Sequence, residues 1–180
     1  MDDWEGTVRT IEEAREFVLR VGECGILHDK TGAPSLWDAV DAPEKAPDES
    51  GWGDKMGKVW HWKNELPVRY PDEIFYGKRK GGTAMLCSME RLRERYATQH
   101  RSLDTLSDGA RSLYDVIKQG QVTNAELKQL TGMTGKAAKS AYDRALTELQ
   151  VSLQIVRVNR SDVEGDTWTP FVEQYPNFKP

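Results

Sequence analysis

One segment, residues 106–170, constrains the fold more than any other part of the chain. Apolar residues recur at helical spacing across residues 107–119 and predict a first helix. Thr123 and Glu126 then have the spacing of a capping box. The box predicts a short second helix that ends at Gly132.

The remainder of this segment continues the same pattern. A third helix is predicted over residues 136–150, after a turn of the kind that joins two helices at an angle. Two strand-like runs follow, residues 153–158 and 167–172, joined by the polar loop 159–166. The order of a helix, a helix–turn–helix and a hairpin is that of a winged-helix unit, which commonly lays one helix into the major groove of DNA.

The first half begins with another capping box, formed by Thr10 and Glu13. The apolar spacing behind it predicts a helix that Gly22 or Gly25 ends. Residues 35–40 are a candidate for a short second helix. This half therefore also opens with helical elements.

A longer helix is predicted over residues 55–66, and Pro67 is expected to end it. Two strands are predicted next, at residues 74–77 and 83–87. The basic turn 78–82 between them has the paired glycines that a hairpin requires. The first half thus also predicts helices followed by a hairpin.

Together these elements predict an α+β fold, mainly helical, with two winged helix–turn–helix-like units in tandem. The expected N-terminal unit covers residues 1–100, with an acidic loop near residues 41–53 and a last helix that Ser88 caps. The expected C-terminal winged-helix domain covers residues 106–180. No sequence repeat relates the halves, so this architecture rests on element order alone.

Charge is distributed unevenly along the 180 residues, whose formal net charge is −4. Residues 1–50 hold 13 acidic and five basic residues, a net charge of −8. The remaining 16 acidic and 20 basic residues sum to +4. Because DNA attracts clustered lysine and arginine, the positive part of the chain is where a nucleic-acid contact is expected.

The composition bounds the environment of the protein. The mean hydropathy is −0.68 and no long apolar run is present, so no membrane partner is expected. The acidic N-terminus does not resemble a signal peptide. Cys24 and Cys87 each lie in an apolar run and are predicted to be two buried free thiols. We therefore expect a cytoplasmic location.

The third predicted helix of the second half holds the main candidate site. Its N-terminal turns carry residue types that suit phosphate and base edges. These candidates are Thr134, Lys136, Lys139, Ser140 and Arg144. Ala137, Ala141, Ala145, Leu146 and Leu149 are expected to form its buried face. The alternative interpretation is an exposed amphipathic helix with solvated lysines, and Asp143 on the candidate face opposes tight DNA contact.

Basic residues at the two hairpins are further candidates for DNA binding. Arg157 and Arg160 flank the second hairpin, whose tip is acidic and would repel a phosphate backbone. Lys78, Arg79 and Lys80 form the first hairpin's tip, which has no acid in the turn. A solvated turn is the alternative for this tip.

Other chemistry is not predicted. Trp60 and Trp62 cannot share one helix face at i, i+2 spacing, so one is expected in the core and the other under a loop. The histidines and cysteines lack metal-ligand spacing, so no metal site is expected. No phosphate-binding glycine loop is present, and neither a cofactor nor a catalytic residue is predicted.

Several local patterns resemble the short AlkZ-related proteins, which are similar to the winged-helix DNA glycosylases of the AlkZ (YcaQ) type. The resemblance runs from about residue 10 to residue 178. Its most specific pieces are Trp-x-Trp-Lys-x-x-Leu-Pro at 60–67 and Tyr-Gly-Lys at 76–78. Further matching pieces lie at residues 21–24, 34–40, 106–107 and 143–150.

The resemblance implies a DNA-binding scaffold of winged helices and a link to DNA repair, but not base excision. The family's glycosylases use a Gln-x-Gln motif near their N-terminal winged helix, and this sequence has no glutamine before Gln99. Gln119 and Gln121 lie in a later loop. The leading hypothesis is a non-catalytic protein that binds double-stranded DNA. The alternatives are a protein–protein interaction scaffold and a divergent DNA glycosylase.

Overall fold

The computed structural model describes residues 7–28, 32–158 and 165–178. Contacts divide the chain into two compact units. Unit 1 comprises residues 1–76, 83–92 and 159–161, and unit 2 comprises residues 77–82, 93–158 and 162–180. About 52% of the structure is helical and the strands form two small antiparallel sheets, which confirms the predicted α+β class.

Helix α1 (Ile11–Val21) opens unit 1 and begins at the predicted capping box. The Thr10 side chain accepts from the Glu13 backbone N–H, and the Glu13 carboxylate accepts from the Thr10 backbone N–H. Gly22 ends the helix, and its N–H donates to the carbonyl of Val18. The apolar face of α1 is buried in the core of unit 1, as its spacing predicts.

The rest of unit 1 is built on a three-stranded sheet with the order β1-β3-β2. Its elements are β1 (Glu23–Gly25), α2 (Leu36–Ala39), α3 (Gly53–Arg69), β2 (Ile74–Lys78) and β3 (Ala84–Ser88). Strand β1, which the sequence did not predict, pairs antiparallel with β3, with Glu23 opposite Cys87. Cys24 and Cys87 are both buried and free, as predicted.

The predicted end of α3 at Pro67 is wrong. The helix continues to Arg69, and Pro67 lies inside it. A proline within a helix removes one backbone hydrogen bond and crowds the preceding turn. Here Leu66 and Pro67 are both buried, and the Tyr70 N–H donates to the Leu66 carbonyl. Packing of the last turn against the core offsets the missing bond.

Unit 2 repeats the use of a small sheet, with the order β4-β6-β5. Helix α4 (Met89–Gln99) begins in unit 1 after Ser88, whose hydroxyl caps it as predicted, and continues into unit 2 from Arg93. A 3-10 helix (Leu103–Thr105) follows. The next elements are α5 (Asp108–Ile117), β4 (Val122–Thr123), α6 (Asn124–Leu130), α7 (Gly135–Val151), β5 (Ile155–Arg157), β6 (Thr167–Pro170) and α8 (Phe171–Gln174).

In unit 2 the sequence predicted the start of α6 correctly and the end of β6 incorrectly. Thr123 and Glu126 form the predicted capping box. The strand predicted over 167–172 stops at Pro170, and Phe171 begins α8. Proline has no N–H for the next ladder bond, and its φ of −55° suits the residue before a helix.

The two units share one order of elements. Each contains a helix, a strand, two helices and two strands, from α1 to β3 in unit 1 and from α5 to β6 in unit 2. In each sheet the third strand lies between the first and the second. Helices α3 and α7 therefore occupy the same place in this order. Within the residues described, no helix has both the length and the apolar character needed to cross a membrane.

Candidate nucleic-acid interface

Helix α7 follows α6 after a four-residue turn, and its first turn is open to solvent. Thr134 is the N-cap residue, but its side chain makes no capping hydrogen bond. No acidic residue lies in the first turn. The leading backbone N–H groups and the partial positive charge of this terminus thus face no local carboxylate.

Three cations and one hydroxyl lie on the exposed side of α7. Lys136, Lys139, Ser140 and Arg144 are all exposed. Among the residues that the structure describes, none of these four side chains has a hydrogen bond or ion pair. These predicted site residues are brought together along about two helical turns.

The predicted buried face of α7 is partly wrong. Ala137 and Ala141 are exposed, whereas Tyr142 is buried beside Ala145, Leu146 and Leu149. Tyr142 begins a stripe at i, i+3, i+4 and i+7, and the two alanines lie outside it. The exposed side of α7 therefore carries small side chains between its cations.

Asn124 anchors the buried side of α7 through a hydrogen bond to Tyr142. Its Oδ1 atom accepts from the Tyr142 hydroxyl and from Trp168 Nε1, each at 2.8 Å. The Lys128 ammonium lies 4.9 Å from the centroid of the Tyr142 ring. Burial, with the nearby carboxylates of Asp143 and Asp166, raises the pKa of Tyr142 to about 12. The hydroxyl thus remains protonated and keeps donating at neutral pH.

The basic turn predicted at residues 78–82 packs against the same helix. Lys78 Nζ donates to Thr147 Oγ1 at 3.2 Å. Arg95 Nη2 donates to the Lys78 carbonyl at 3.1 Å. A Cβ atom at Gly82 would lie 3.2 Å from Thr147 Cγ2, so the turn approaches α7 closely. Helix α7 and the turn form one surface of unit 2.

An open groove of about 770 Å³ lies between the turn and α7. It is lined by Gly81, Gly82, Lys136, Lys139, Ser140, Asp143, Arg144, Thr147, Glu148 and Val151. Three lining residues are cationic and two are acidic. Four of the five predicted α7 residues line it, and Thr134 lies just before them.

The two carboxylates of the groove differ in their surroundings. Glu148 accepts from the hydroxyl of Ser107 at 2.6 Å, and Arg101 Nη1 lies 3.8 Å from it. Asp143 is exposed and has no such partner in the part of the chain that the structure describes. Asp143 is therefore the one uncompensated acid among the lining residues.

The other cations predicted to bind DNA differ in how far they are exposed to solvent. Lys80 is exposed at the turn, and Arg79 is half-buried with contacts of its own. Arg157 is buried, and its guanidinium lies 3.6 Å from the carboxylate of Asp166. The structure does not bring Arg157 to the groove. Arg160 lies outside the described residues.

The family of the chain follows from a comparison with protein families. A model of the AlkZ-related family matches residues 8–168, which span both units from before α1 to β6. The chain belongs to the AlkZ-related family. No curated protein and no solved structure matched it.

In this AlkZ-related chain, Gln119 and Gln121 lie on the exposed turn between α5 and β4. The Gln119 side chain donates to the carbonyl of Asp115 in α5. Neither glutamine lines the groove beside α7. Throughout the described ranges, no three histidine, cysteine or acidic side chains come together as a group that could hold a metal ion.

The tryptophans of α3 only partly match expectation. Trp62 is buried in the core of unit 1, as one of the pair was expected to be. Trp60 contacts Trp52 of the loop before α3, but it is not covered by that loop: Trp60 is 40% exposed and Trp52 is 61% exposed. Sequence reasoning did not single out Trp52 or Asn124. Asn124 acts through hydrogen bonds to residues 18 and 44 positions away, which no local pattern reveals.

Proposed function

We propose that this chain is a non-catalytic protein that binds double-stranded DNA through α7 and the 78–82 turn. The observation that carries the proposal is the row of three exposed cations on α7, which have no partner among the residues that the structure describes. Lysine and arginine side chains that a fold does not use internally are free to replace the counterions of a phosphate backbone.

The geometry of the row suits a duplex. Lys136 and Arg144 are eight residues apart, which corresponds to about 12 Å along a helix. Phosphates at the groove edge would contact these cations and the uncapped start of α7. Asp143 would be directed away from the strands or would lie opposite a base-edge donor such as cytosine N4.

Small side chains on the same face allow close approach. Ala137 and Ala141 expose only methyl groups, which can contact the thymine methyl. Ser140 and Thr134 provide hydroxyls that can reach either phosphate or base edges. In this arrangement the cations set the position of the duplex and the short side chains contact the bases.

The proposal treats both units as winged helices in tandem. Its support is the shared order of elements, with the third strand between the first and second in each sheet. In that scheme α7 is the recognition helix of unit 2. The basic 78–82 turn belongs to the same unit and contacts α7 through the hydrogen bond from Lys78 to Thr147.

Membership of the AlkZ-related family makes damaged DNA the first substrate to test. We assign no excision chemistry, because the chain lacks a glutamine before Gln99 and its later pair lies on an exposed turn. A duplex with one alkylated purine should be bound and left intact. Alkali-sensitive strand breaks that appear with the protein and disappear on boiling it would instead support a divergent glycosylase.

The decisive experiment is fluorescence anisotropy with a 25-base-pair duplex at several salt concentrations. The double variant Lys136→Glu/Lys139→Glu should weaken binding and lower the salt slope by about two. A matched control, Lys58→Glu/Lys118→Glu, changes the net charge equally but at lysines already paired with acids. Equal losses in both variants, or no binding by the natural chain at low salt, would contradict the proposal.

A further inference from the structure

Helix α3 has the same position in the element order of unit 1 as α7 has in unit 2. Unlike those of α7, its lysines interact with other side chains of the fold. Lys55 Nζ lies 3.7 Å from the carboxylate of Glu44 and 5.1 Å from the centroid of the Trp37 ring. Lys58 Nζ lies 3.5 Å from the carboxylate of Asp54. The first turns of α3 therefore offer no unpaired lysine to a phosphate backbone, in contrast to α7.

The third lysine of α3 is buried against aromatic rings. Lys63 is 6% exposed, and its ammonium lies 3.8 Å from the centroid of the Trp60 ring. The same ammonium lies 5.3 Å from the centroid of the Tyr76 ring. Trp60 thus already holds a cation on its ring, which is the interaction that an exposed indole offers to a lysine or arginine.

Trp60 on α3 and Trp52, the residue before this helix, form an exposed aromatic pair. Their ring centroids are 5.3 Å apart and the rings are perpendicular. Gly57 lies between them in sequence, is itself exposed, and has open space where a side chain would be. A glycine inside a helix costs about 1 kcal/mol relative to alanine. At position 57 it leaves the helix surface one turn before Trp60 without a side chain.

An acidic loop closes next to this pair. A Cβ atom at Gly53 would lie 2.7 Å from Lys45 Cβ, so the ends of the 45–53 loop meet. Residues 41–54 contain five acidic residues and one lysine. Within the described residues, Asp48 and Glu49 have no cationic partner. The Glu49 carboxylate accepts only a backbone N–H, that of Ala46, so Trp52 lies in the same closed loop as two described carboxylates without a cation beside them.

We propose that Trp52, Trp60 and the 45–53 loop bind an arginine- or lysine-bearing segment of another protein. A guanidinium or ammonium would lie on the exposed ring of Trp52, and Asp48 and Glu49 would pair with neighbouring cations of that segment. The residues of this surface belong to unit 1, whereas those proposed to bind DNA belong to unit 2. A nucleic acid is disfavoured here because its phosphates would meet these carboxylates.

The test uses the full chain and a fluorescein-labelled eight-residue peptide of alternating arginine and glycine. Anisotropy and tryptophan fluorescence should both report saturable binding at low salt, and a glutamate–glycine peptide should give none. Trp52→Ala should weaken binding about two- to fivefold, the range expected for an exposed cation–π contact. Asp48→Asn/Glu49→Gln should weaken it by a similar factor at low salt and by less at high salt.

Two comparisons keep this inference separate from the proposed DNA binding. The Lys136→Glu/Lys139→Glu variant should bind the peptide no more weakly than the natural chain, although its DNA affinity falls. Peptide binding that both unit 1 variants retain in full would overturn the inference. So would quenching of Trp52 by an oligothymidylate but not by the peptide, which would identify a surface that stacks on nucleobases.

Discussion

Lys78 and Thr147 are joined by a hydrogen bond of 3.2 Å between Nζ and Oγ1, although 69 positions separate them in the chain. The bond attaches the tip of a basic hairpin to the helix that carries Lys136, Lys139 and Arg144. It holds the ammonium of Lys78 on Thr147, a residue that lines the groove. The cations of two distant sequence segments thereby belong to one surface.

Replacing Thr147 with valine tests whether this bond orders the DNA-binding surface. Valine keeps the shape of threonine and removes the acceptor, so DNA affinity should fall by up to about fivefold, with a small change in the thermal midpoint. Thr98→Val on α4 is the control, because the Thr98 hydroxyl bonds only to carbonyls of its own helix. An unchanged affinity in Thr147→Val would show that the hairpin does not contribute to DNA binding.

Substituting Gly82 with alanine should destabilise the protein through two effects. Its φ is +83°, which L-residues rarely adopt, and the added Cβ would lie 3.2 Å from Thr147 Cγ2. Gly81→Ala is the matched control, because Gly81 also has a positive φ, +94°, but no atom lies within 4 Å of the added Cβ. Urea unfolding should show a loss of about 1 kcal/mol for Gly81→Ala and a larger loss for Gly82→Ala. Equal losses would mean that the turn moves freely away from α7.

Asn124→Ala removes the acceptor shared by Tyr142 and Trp168. Both donors would remain buried without a partner, so the free energy of unfolding should fall by about 2–4 kcal/mol. Tyr142→Phe removes one donor only and should cost about 1 kcal/mol. In a double-mutant cycle the two losses should be clearly less than additive. Additive losses would contradict a shared hydrogen-bond network.

Stability should depend on pH through His100. Burial lowers the pKa of His100 below its ordinary value of 6.5. In its neutral form its Nε2 accepts from Gln154 Nε2 at 3.1 Å, and protonation would turn that acceptor into a donor. Because the unfolded chain binds this proton more tightly, the free energy of unfolding should decrease as the pH falls through about 6.5.

The measurement is urea unfolding between about pH 7.5 and pH 5.5 for the natural chain and for His100→Gln, which cannot titrate in this range. The variant should show a shallower decrease in stability over that interval. Parallel curves for the two proteins would exclude His100 as the source of the pH dependence.

The candidate site was predictable in its residue types but not in its assembly. The absence of acid in the first turn of α7 and the cluster Lys78, Arg79 and Lys80 are features of the sequence. Arg157 has the same residue type, yet its guanidinium is buried beside Asp166. A sequence pattern alone cannot distinguish an arginine that bridges elements within the fold from one that faces solvent.

The sequence by itself determined the features that depend on neighbouring residues. The capping boxes of Thr10 with Glu13 and of Thr123 with Glu126 begin helices because their bonds close within four residues. Gly22 ends α1 for an equally local reason. Such signals need no tertiary context, and they set the helical framework of both units.

Only the tertiary structure decided the features that depend on distant partners. Strand β1 has three residues and exists because it pairs with β3. Helix α3 continues through Pro67 because Leu66 and Pro67 of its last turn are buried. In α7 the side that carries Tyr142 is buried, where its hydroxyl bonds to Asn124, and Ala137 and Ala141 are left exposed. In each of these three cases the packing free energy outweighs the local conformational preference of the segment. That packing exists only in the folded chain.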